Sequence, residues 1–513
     1  MQAETAKHTQ TAAASRQGRV NFTIDGRVVE ATRGTSVLAA AREAGIYIPH
    51  LCDYPGLSPY AGCRLCLVEI AGRAGFETSC TAPVSEGMIV RTNTPELRQM
   101  QRNVLEVILA DHPDRCLTCL REERCPSFGP CIRDSVVTTR CVVCPKHGNC
   151  DLQRVADFLG MHQQRFLFPR QIHEVETSNP FLERNMTFCI QCTRCTRVCD
   201  DVRGVGALGL VHRSRDLGMA DAFAVDLKDT SCEMCGQCAQ VCPVGAIVKT
   251  DSKYAKTPEE SVATVCSHCG VGCGVYLDVS GGKVERARPR PATTVNGESL
   301  CVKGQFGHEY VVSPDRLTTP YARAAKGGDL IETSWEEALA ATASQLSAIR
   351  EKHGADAIGF VGSGRCSNED NYLLQRVARA AVGTNNVSQV GESYLRPVLD
   401  VLGKALGVPA ATNPLSDLEK AGCILVVGAN PTEEQPIVGL RLKKAVRQGA
   451  KLITISPRPI DLERFAHIRL RPRPGSEATV LAGLLRVIVE EGLWDRQFTE
   501  STTEGFAELV SSL

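Results

Sequence analysis

Apolar and polar residues alternate in the first patterned segment of the chain, and this pattern predicts a β-hairpin. From Val20, the stretch VNFTIDGRVVEA has apolar side chains at alternate positions on both sides of Asp25-Gly26. An Asp-Gly pair between alternating segments is a strong hairpin signal, because both residues tolerate the positive φ of a tight turn. Residues 1–18 are polar and lack such a pattern, so we predict a disordered tail.

Helical spacing follows in two places. The stretch TSVLAAAREAG predicts a short helix with Thr35 or Ser36 as its N-cap and Gly45 as its end. An apolar stripe from about Pro95 to Ala110 predicts a second, longer helix. Residues 112–258 have too little periodic hydrophobicity to form a large apolar core, so we predict loops and short helices there.

The pattern changes after about residue 320. Apolar runs such as DAIGFVGSG, CILVVGANP and KLITISPRP alternate with the helical patterns WEEALAATASQLSAIREKHG and QPIVGLRLKKAVRQG. Alternation of strand and helix predicts a parallel α/β sheet with crossover helices. No apolar run reaches the roughly 18 residues that a transmembrane helix requires, so we expect no direct membrane insertion.

Composition adds an unusual number of cysteines to this picture. The 513 residues suffice for three or four domains of usual size, and 25 of them are cysteines, almost all before residue 302. The formal net charge is zero, which gives no indication of nucleic-acid binding. The N-terminus has no apolar signal core and no twin-arginine motif, so we predict a cytoplasmic protein. In a reducing compartment, grouped cysteines indicate metal ligands rather than disulfides.

The first cysteine group follows the predicted hairpin and helix, with the spacing C-x10-C-x2-C-x13-C. Two close and two more distant thiolates suit a [2Fe-2S] cluster in a β-grasp domain, although the plant-type ferredoxin spacing is not matched. A four-cysteine zinc site is the alternative. The predicted ligands are Cys52, Cys63, Cys66 and Cys80.

Two further groups share the spacing C-x2-C-x5-C. His112 precedes the first group, which consists of Cys116, Cys119 and Cys125. The matching position before the second group is Val137, which cannot bind iron. Cys131 is the unassigned cysteine nearby, so the spacing predicts a [4Fe-4S] site of Cys131, Cys141, Cys144 and Cys150. His147, between these cysteines, is predicted to be a surface residue.

The next two groups each read C-x2-C-x2-C-x3-C, the run of bacterial two-cluster ferredoxins. In such runs the fourth cysteine of each motif binds the other cluster. Asp200 stands where the first motif usually has a proline, without loss of a ligand. One predicted [4Fe-4S] set is Cys189, Cys192, Cys195 and Cys242, and the other is Cys232, Cys235, Cys238 and Cys199.

A last group has the spacing C-x2-C-x3-C-x27-C and is followed by Val302-Lys303-Gly304; it consists of Cys266, Cys269, Cys273 and Cys301. It resembles the N-terminal cluster of molybdenum and tungsten bis-pterin oxidoreductases, including formate dehydrogenases. The resemblance implies a [4Fe-4S] cluster here and a role for Lys303 between cluster and pterin.

The earlier groups resemble the large iron-sulfur subunit of complex I-like NADH dehydrogenases and the N-terminal half of NAD-linked formate dehydrogenase α subunits. In these families a histidine completes the cluster of the C-x2-C-x5-C motif, which implies His112 as a ligand together with Cys116, Cys119 and Cys125. Two cysteines lie outside all groups: Cys423, expected to pack inside a strand, and Cys366, in a predicted loop.

The resemblance does not extend to a catalytic site. The catalytic Cys-His pair of formate dehydrogenases falls on Tyr394-Leu395, and neither side chain can replace a soft metal ligand or a proton carrier. The family's Asp-Pro-Arg, which holds a pterin guanine, reads Ser456-Pro457-Arg458. Family members also continue beyond the point that matches Leu513. We therefore expect no catalytic residue and no molybdopterin, and interpret GANPTEEQP as a structural turn.

The predicted fold class is multidomain, α+β followed by α/β. It comprises a disordered tail (1–18), a β-grasp [2Fe-2S] ferredoxin domain (19–95), a [4Fe-4S] domain with one histidine and three cysteine ligands and an extra four-cysteine insertion (96–180), a two-[4Fe-4S] ferredoxin domain (181–258), a [4Fe-4S] domain of the molybdopterin-oxidoreductase type (259–315), and a truncated α/β domain of that type (316–513).

These features predict an electron-transfer subunit with one [2Fe-2S] and five [4Fe-4S] clusters. The resemblance implies a flavoprotein partner that holds FMN and oxidises NADH, a small [2Fe-2S] subunit and a further redox or catalytic subunit. NADH and FMN are assigned to a partner because no nucleotide-binding GxGxxG motif of this chain follows a strand and opens a helix. Two alternatives stay open: a split α subunit of a molybdenum or tungsten formate dehydrogenase, and a zinc-rich scaffold. Whether the chain itself converts a substrate is left undecided.

Overall fold

A computed structural model describes residues 18–113, 116–119, 125, 131, 140–166, 172–212, 218–221, 225–254, 257–291, 295–389 and 391–513. The predicted tail, except Gly18, and Val137 lie outside the described residues. The chain forms two compact units. The first draws on Met1–Glu260, Asp278–Ser280 and Ser299–Phe306, and the second on Ser261–Leu277, Gly281–Glu298 and Gly307–Leu513.

The first unit contains short strands and short helices. Its strands are β1 (Arg19–Ile24), β2 (Arg27–Thr32), β3 (Leu67–Ile70), β4 (Glu77–Thr78), β5 (Ile89–Arg91), β6 (Leu182–Arg184), β7 (Leu208–Val211), β8 (Gly218–Asp221) and β9 (Ile247–Lys249). Its helices are α1 (Val37–Glu43), α2 (Pro95–Leu109), α3 (Asp151–Leu159), α4 (Arg194–Arg197), α5 (Gln237–Val241) and α6 (Val302–Phe306).

The predicted hairpin is confirmed as the antiparallel pair β1–β2, with positive φ at both Asp25 and Gly26. Together with later strands it forms a five-stranded sheet in the order β2-β1-β5-β3-β4, in which β1 and β5 are parallel. The predicted first helix is α1, capped by the Ser36 hydroxyl, which accepts a hydrogen bond from the backbone N–H of Ala39. Val20, Phe22 and other apolar side chains of this sheet form a core with α1.

The remainder of the first unit has a second core, which carries most of the cysteine groups. The predicted second helix is confirmed as α2, and its Leu105 and Leu109 pack with Leu152 and Val155 of α3. Strands β6 and β9 pair antiparallel, and so do β7 and β8, so the prediction of loops and short helices for residues 112–258 is incomplete. These elements are short, so this core includes cysteine side chains beside its aliphatic ones.

The later part of the chain begins with a three-stranded sheet in the order β10-β11-β12. Its strands and those after it are β10 (Glu260–Val265), β11 (Gly274–Ser280), β12 (Lys283–Pro289), β13 (Tyr321–Ala322), β14 (Ile331–Glu332), β15 (Phe360–Gly362), β16 (Val387–Gln389), β17 (Cys423–Val427), β18 (Lys451–Ile455) and β19 (Ile468–Leu470). The helices are α7 (Trp335–His353), α8 (Asn368–Arg376), α9 (Glu392–Leu406), α10 (Pro431–Glu434), α11 (Pro436–Arg447), α12 (Glu477–Glu490), α13 (Arg496–Thr502) and α14 (Phe506–Ser512).

Parallel strands are present in this second unit, but they form two sheets rather than one. One sheet pairs β15 with β16, and the other has the order β17-β18-β19. The chain between β16 and β17 folds into α9 and a 3-10 turn, so no strand joins the two sheets there. None of the helices in the described residues has the length and the hydrophobicity of a membrane-spanning segment.

The prediction that Cys423 packs inside its strand is wrong. Cys423 does open β17, but its side chain is exposed. The strand alternates between exposed and buried positions, with Ile424 and Val426 on the buried face. Cys423 and Leu425 lie on the opposite, exposed face, because successive side chains of a strand point to opposite sides of the sheet.

Candidate iron-sulfur centres

The four cysteines of the first group come together beside the five-stranded sheet. Cys52, Cys66 and Cys80 are each about 1% exposed. Their thiols form hydrogen-bonded pairs, Cys52 with Cys63 and Cys66 with Cys80. Paired sulfurs are what a [2Fe-2S] cluster requires, since each of its two irons takes two of the four thiolates.

The charges of these pairs are coupled through the shared hydrogen bond. The bond to Cys63 and burial both raise the pKa of Cys52, whereas the same bond lowers the pKa of Cys63 to about 7. Likewise the bond to Cys80 raises the pKa of Cys66. Each pair therefore stabilises one negative charge, and a bound cation is needed before both sulfurs ionise. This donor set fits an iron-sulfur cluster.

The two ferredoxin-type motifs adopt the same backbone conformation. In the first, Gln191 and Thr193 have positive φ on either side of Cys192. In the second, Met234 and Gly236 have positive φ on either side of Cys235.

Each of these loops also turns a backbone N–H toward its first cysteine. The N–H of Gln191 donates to Cys189 Sγ, and the N–H of Met234 donates to Cys232 Sγ, both at 3.4 Å. N–H···S hydrogen bonds stabilise anionic sulfur and set cluster potentials. Sequence spacing alone does not reveal this repeated conformation.

The cysteines of both ferredoxin-type motifs lie close together in two groups of four. Cys199, which lies in a π-helical turn after α4, lines one cavity together with Cys232, Cys235 and Cys238. In the other set, Cys189, Cys192, Cys195 and Cys242 interact electrostatically with one another. In each set, the fourth cysteine of one motif joins the three of the other.

Burial makes these thiols unfavourable as isolated anions. It raises the pKa of Cys192 to about 12 and the pKa values of Cys189 and Cys232 to about 11. Such thiols stay protonated at neutral pH unless a metal ion displaces their protons. The chemistry of the donors therefore fits bound iron.

Two buried arginines lie beside these sites, and the sequence analysis did not single them out. Arg194, 3% exposed, pairs with Asp151 at 2.7 Å and lies over the Tyr54 ring. Arg203 is 1% exposed; burial opposes its charge, but the Cys235 sulfur and the Glu233 carboxylate raise its pKa. Both lie within or directly after cysteine motifs, but only their burial distinguishes them from surface arginines.

His112 lies close to the second C-x2-C-x5-C group. It is 6% exposed and lines a cavity with Cys141, Cys144 and Cys150. The N–H of Cys141 donates to Cys116 Sγ at 3.2 Å, and Arg140 Nη1 donates to Cys125 Sγ at 3.3 Å.

The remaining residues of this region are less enclosed. Cys119, Cys125 and Cys131 are partly exposed. His147 is exposed, as predicted, although it also lines the rim of the cavity that contains His112.

The last cysteine group is divided between the two compact units. In the second unit, the N–H of Cys266 donates to the carbonyl of Cys273 at 2.8 Å, which closes the loop that holds Cys269. In the first unit, Cys301 is buried directly before α6, the helix that contains Lys303. Among the described residues, no three His, Cys, Asp or Glu side chains form a site for a single metal ion.

The positions expected to be non-catalytic lie in the second unit. Tyr394 and Leu395 are in α9, with Leu395 38% exposed. Cys366 is exposed in the loop between β15 and α8. In GANPTEEQP, Thr432 Oγ1 donates to Oδ1 of the buried Asn430 at 2.9 Å, a contact that holds the turn before α10.

Comparison with known protein families divides the chain into four matches. Residues 17–95 match the 2Fe-2S iron-sulfur cluster binding domain. Residues 179–248 match the ferredoxin-like domain of NADH-quinone oxidoreductase subunit 3. The molybdopterin oxidoreductase Fe4S4 domain matches residues 259–313, and the molybdopterin oxidoreductase family matches residues 316–501.

Relatives are similar along almost the whole chain. NADPH-Fe(3+) oxidoreductase subunit alpha of Geobacter sulfurreducens is 31% identical over 96% of this chain and 55% of its own length. An NADH-quinone oxidoreductase subunit of Rhizobium meliloti is 34% identical over 94% of this chain and 53% of its own length. A formate dehydrogenase-like protein of Staphylococcus aureus is 26% identical over 97% of this chain and 52% of its own length.

The chain thus spans about half the length of the curated relatives that it matches. The resemblance inferred from the cysteine groups is confirmed by these relatives and by the four domain matches. The chain therefore joins iron-sulfur domains to a domain of the molybdopterin oxidoreductase family, and it is a homologue of NADH-quinone oxidoreductase subunits and of formate dehydrogenase-like proteins.

Proposed function

We propose that this chain is the iron-sulfur electron-transfer subunit of a multisubunit cytosolic oxidoreductase linked to NAD(P)H. The observation that carries the proposal is the pair of matched cysteine loops around Cys192 and Cys235, each with the same positive-φ residues and the same N–H···S hydrogen bond. Two equivalent redox sites side by side conduct electrons rather than convert a substrate. The clusters, when bound, supply one-electron carriers.

The proposed ligands are 23 cysteines and one histidine, in six sites. The [2Fe-2S] site takes Cys52, Cys63, Cys66 and Cys80. The ferredoxin-type sites take Cys189, Cys192, Cys195 and Cys242, and Cys199, Cys232, Cys235 and Cys238. Cys266, Cys269, Cys273 and Cys301 hold a further cluster, with Lys303 beside it. His112, Cys116, Cys119, Cys125, Cys131, Cys141, Cys144 and Cys150 hold the remaining two clusters.

We also propose the domain boundaries given by the sequence, with a β-grasp domain at 19–95, the histidine-containing region at 96–180, the ferredoxin domain at 181–258, and the last two domains at 259–315 and 316–513. The sheet order β2-β1-β5-β3-β4, with its central parallel pair and α1 packed on it, supports the first domain. The antiparallel pair β6–β9, which brackets both ferredoxin motifs, supports the third.

The protein's own groups act on the clusters through charge and hydrogen bonding. Arg194 and Arg203 are buried cations beside the cysteine motifs and favour the more reduced, more negative cluster state. Backbone N–H groups directed at sulfur act in the same direction. Arg197 donates hydrogen bonds to the carbonyls of Cys52 and Ser58, and thereby fixes the [2Fe-2S] loop against α4.

The partners follow from relatives that are named as NADPH-Fe(3+) and NADH-quinone oxidoreductase subunits. We propose that a flavoprotein with FMN oxidises NAD(P)H, that a small [2Fe-2S] subunit accompanies it, and that a further redox subunit takes the electrons. The chain itself has no proposed catalytic residue and holds no proposed molybdopterin.

Elemental analysis and redox titration of the anaerobically purified native complex test this function. About 22 iron atoms assigned to this chain after the iron of its partner subunits is subtracted, without Mo or W, and reduction of its clusters by NAD(P)H are the expected results. A Cys192→Ala variant loses one [4Fe-4S] signal, whereas Cys366→Ala, at an exposed and unassigned cysteine, loses none. Zinc in place of iron, or clusters that NAD(P)H leaves oxidised, contradicts the proposal.

A second function is supported by the match of residues 316–501 to the molybdopterin oxidoreductase family. A cavity at the carboxyl ends of β15 and β16, whose lining includes Ser363, Ser388 and Arg396, provides a cleft in that segment. In this alternative the chain is part of the α subunit of a formate dehydrogenase, and another polypeptide completes a molybdenum or tungsten site. Stoichiometric Mo or W in the native complex, together with formate oxidation, favours it over the first function.

A further inference from the structure

We propose that His112 shares its cluster with Cys141, Cys144 and Cys150, and that Cys116, Cys119, Cys125 and Cys131 hold the neighbouring cluster. The inference rests on the proposed function, because it takes these eight side chains as [4Fe-4S] ligands. It differs from the sequence-based division, which joins His112 to the three cysteines that follow it directly in the chain.

The first observation is a cavity that gathers these four side chains. His112, Cys141, Cys144 and Cys150 all line it, and among the described residues no other cysteine does. Leu117 contributes to the wall, but its neighbours Cys116 and Cys119 do not. The imidazole and three thiols thus face one common space.

The second ferredoxin-type site has a cavity of the same kind. There the cavity is lined by Cys199, Cys232, Cys235 and Cys238 and by no other cysteine among the described residues. Motif spacing assigned the same four cysteines to one cluster independently. The cavity beside His112 has the same composition, three cysteines from one motif and a fourth ligand from elsewhere in the chain.

Helix packing explains why His112 is close to the second motif. His112 follows the end of α2 at Leu109, and Cys150 directly precedes α3. Leu109 of α2 and Leu152 of α3 belong to the same core. Arg102 Nε, in the middle of α2, donates to the carbonyl of Leu159, at the far end of α3, at 2.7 Å. The two helices therefore bring the His112 end of α2 to the Cys150 end of α3.

The imidazole has a defined orientation in this cavity. His112 Nδ1 lies 3.1 Å from the carbonyl oxygen of Pro113, to which a protonated Nδ1 donates. This hydrogen bond assigns the proton to Nδ1 and the lone pair to Nε2, as in most metal-binding histidines. Iron binding therefore uses Nε2.

Two sulfurs of the first group contact the Arg140-Cys141 segment beside this site. Cys116 Sγ accepts the backbone N–H of Cys141 at 3.2 Å, and Cys125 Sγ accepts from Arg140 Nη1 at 3.3 Å. Both contacts join the two groups through donors of one short segment.

Matched alanine variants of the full chain in its native complex distinguish the proposed division of the ligands from the sequence-based one. Cys119 and Cys144 are the second cysteines of their motifs, and Cys366 is the exposed control. Pulsed EPR of the dithionite-reduced complex reads the strong ¹⁴N coupling of a histidine-ligated cluster, and labelling with ¹⁵N-histidine confirms its source. We expect Cys144→Ala to abolish this coupling, and Cys119→Ala and Cys366→Ala to retain it.

The opposite pattern, with the coupling lost in Cys119→Ala and retained in Cys144→Ala, overturns the inference but leaves the proposed function intact. Absence of these two clusters from the wild-type complex by iron content contradicts the proposed function instead. Wild-type clusters without any ¹⁴N coupling also overturn the inference.

A second variant decides the matter if both cysteine replacements disturb folding. His112→Ala removes one ligand and no cysteine, so loss of its cluster exposes three thiols to alkylation. Mass spectrometry is expected to find new alkylation at Cys141, Cys144 and Cys150, at least tenfold above wild type. New alkylation at Cys116, Cys119 and Cys125 in their place overturns the inference.

Discussion

Gly245 makes a close contact with a proposed ligand, and replacing it by alanine is a direct test of the site. An added Cβ at Gly245 would lie 2.7 Å from Cys144 Sγ, closer than carbon and sulfur approach without displacement. Gly245 and Cys144 line the cavity that contains His112. The φ of Gly245 is not positive, so the backbone itself accepts alanine. Any effect of Gly245→Ala therefore comes from contact with the sulfur.

The distance gives the size of the effect. The sulfur must move by about 0.7 Å to reach 3.4 Å, where ordinary van der Waals contact begins. A free thiol rotates away at little cost, but a sulfur bound to iron is fixed. Overpacking at a fixed position costs about 1–3 kcal/mol. If this cost falls on the cluster-loaded state, cluster loss becomes about 5- to 150-fold faster.

The assay is anaerobic release of iron to a strong chelator from the native complex, with EPR of each cluster recorded during release. The cluster bound by Cys144 is expected to decay first in Gly245→Ala, while the [2Fe-2S] signal keeps its wild-type rate. Gly209→Ala is the matched control, because an added Cβ at Gly209 in β7 meets nothing within 4 Å.

A Gly245→Ala complex that retains full iron and releases it within twofold of the wild-type rate refutes this reasoning. That result would mean that the sulfur of Cys144 moves freely and is not held by iron. Equal acceleration in Gly209→Ala would attribute the effect to the first unit as a whole rather than to this contact.

Three other changes test the packing and the charges. Leu152→Ala, in the core between α2 and α3, is expected to cost about 2–5 kcal/mol, read as a lower midpoint of anaerobic chemical denaturation. Arg197→Met removes charge-assisted hydrogen bonds of about 1.5–3 kcal/mol, including the one to the Cys52 carbonyl, and is expected to accelerate loss of the [2Fe-2S] signal selectively. Burial opposes the charge of Glu419, but its bonds to Lys444 and Arg441 prevail and lower its pKa. Glu419→Gln is therefore expected to increase the rate of backbone hydrogen exchange in α11 at pH 7, with a smaller increase near pH 4.

Each of these expectations has a contradicting result. Val107, 62% exposed on α2, is the control for Leu152, and equal effects of the two alanine variants would contradict the core position of Leu152. Loss of all clusters at equal rates in Arg197→Met would contradict its local role. The ion pairs of Glu419 stabilise the fold at pH values above the ordinary carboxyl pKa. This stabilisation is lost as the pH falls through the lowered pKa of Glu419 in the folded protein. An effect of Glu419→Gln that grows on acidification would therefore contradict the lowered pKa.

Local signals in the sequence predicted part of the secondary structure. Ser36 caps α1 and Gly45 follows its end, because capping depends on a few neighbouring backbone groups. The strands β17 and β18 and the helix α11 lie where apolar runs and helical spacing predict them. These features are encoded within a few residues, so a single sequence is sufficient to find them.

Long-range features were not accessible in this way. Cys423 lies in the strand expected for it, but its exposure depends on which face of β17 is covered, and residues of α11 and β18 cover the face of Ile424 and Val426. Arg194 and Arg203 have the sequence context of surface residues, and only their packing against cysteine loops makes them buried cations. In each case the deciding contact is made by residues distant in the chain.

The division of ligands between clusters has the same cause. A C-x2-C loop fixes two or three sulfurs around one site, but a helix that follows carries the next cysteine away. Cys199 lies four residues beyond Cys195, which advances about 6 Å along a helix of 1.5 Å rise per residue, so it faces the neighbouring site.

Helix α3 likewise decides which ligands share a site near His112. It begins directly after Cys150 and packs against α2, the helix that ends before His112. Spacing therefore identifies the members of each cysteine motif, whereas the fourth ligand is chosen by how the helices between motifs pack. Because His112 is fixed by α2 and Cys150 by α3, the contact between these two helices, rather than sequence proximity, determines which cluster carries the histidine.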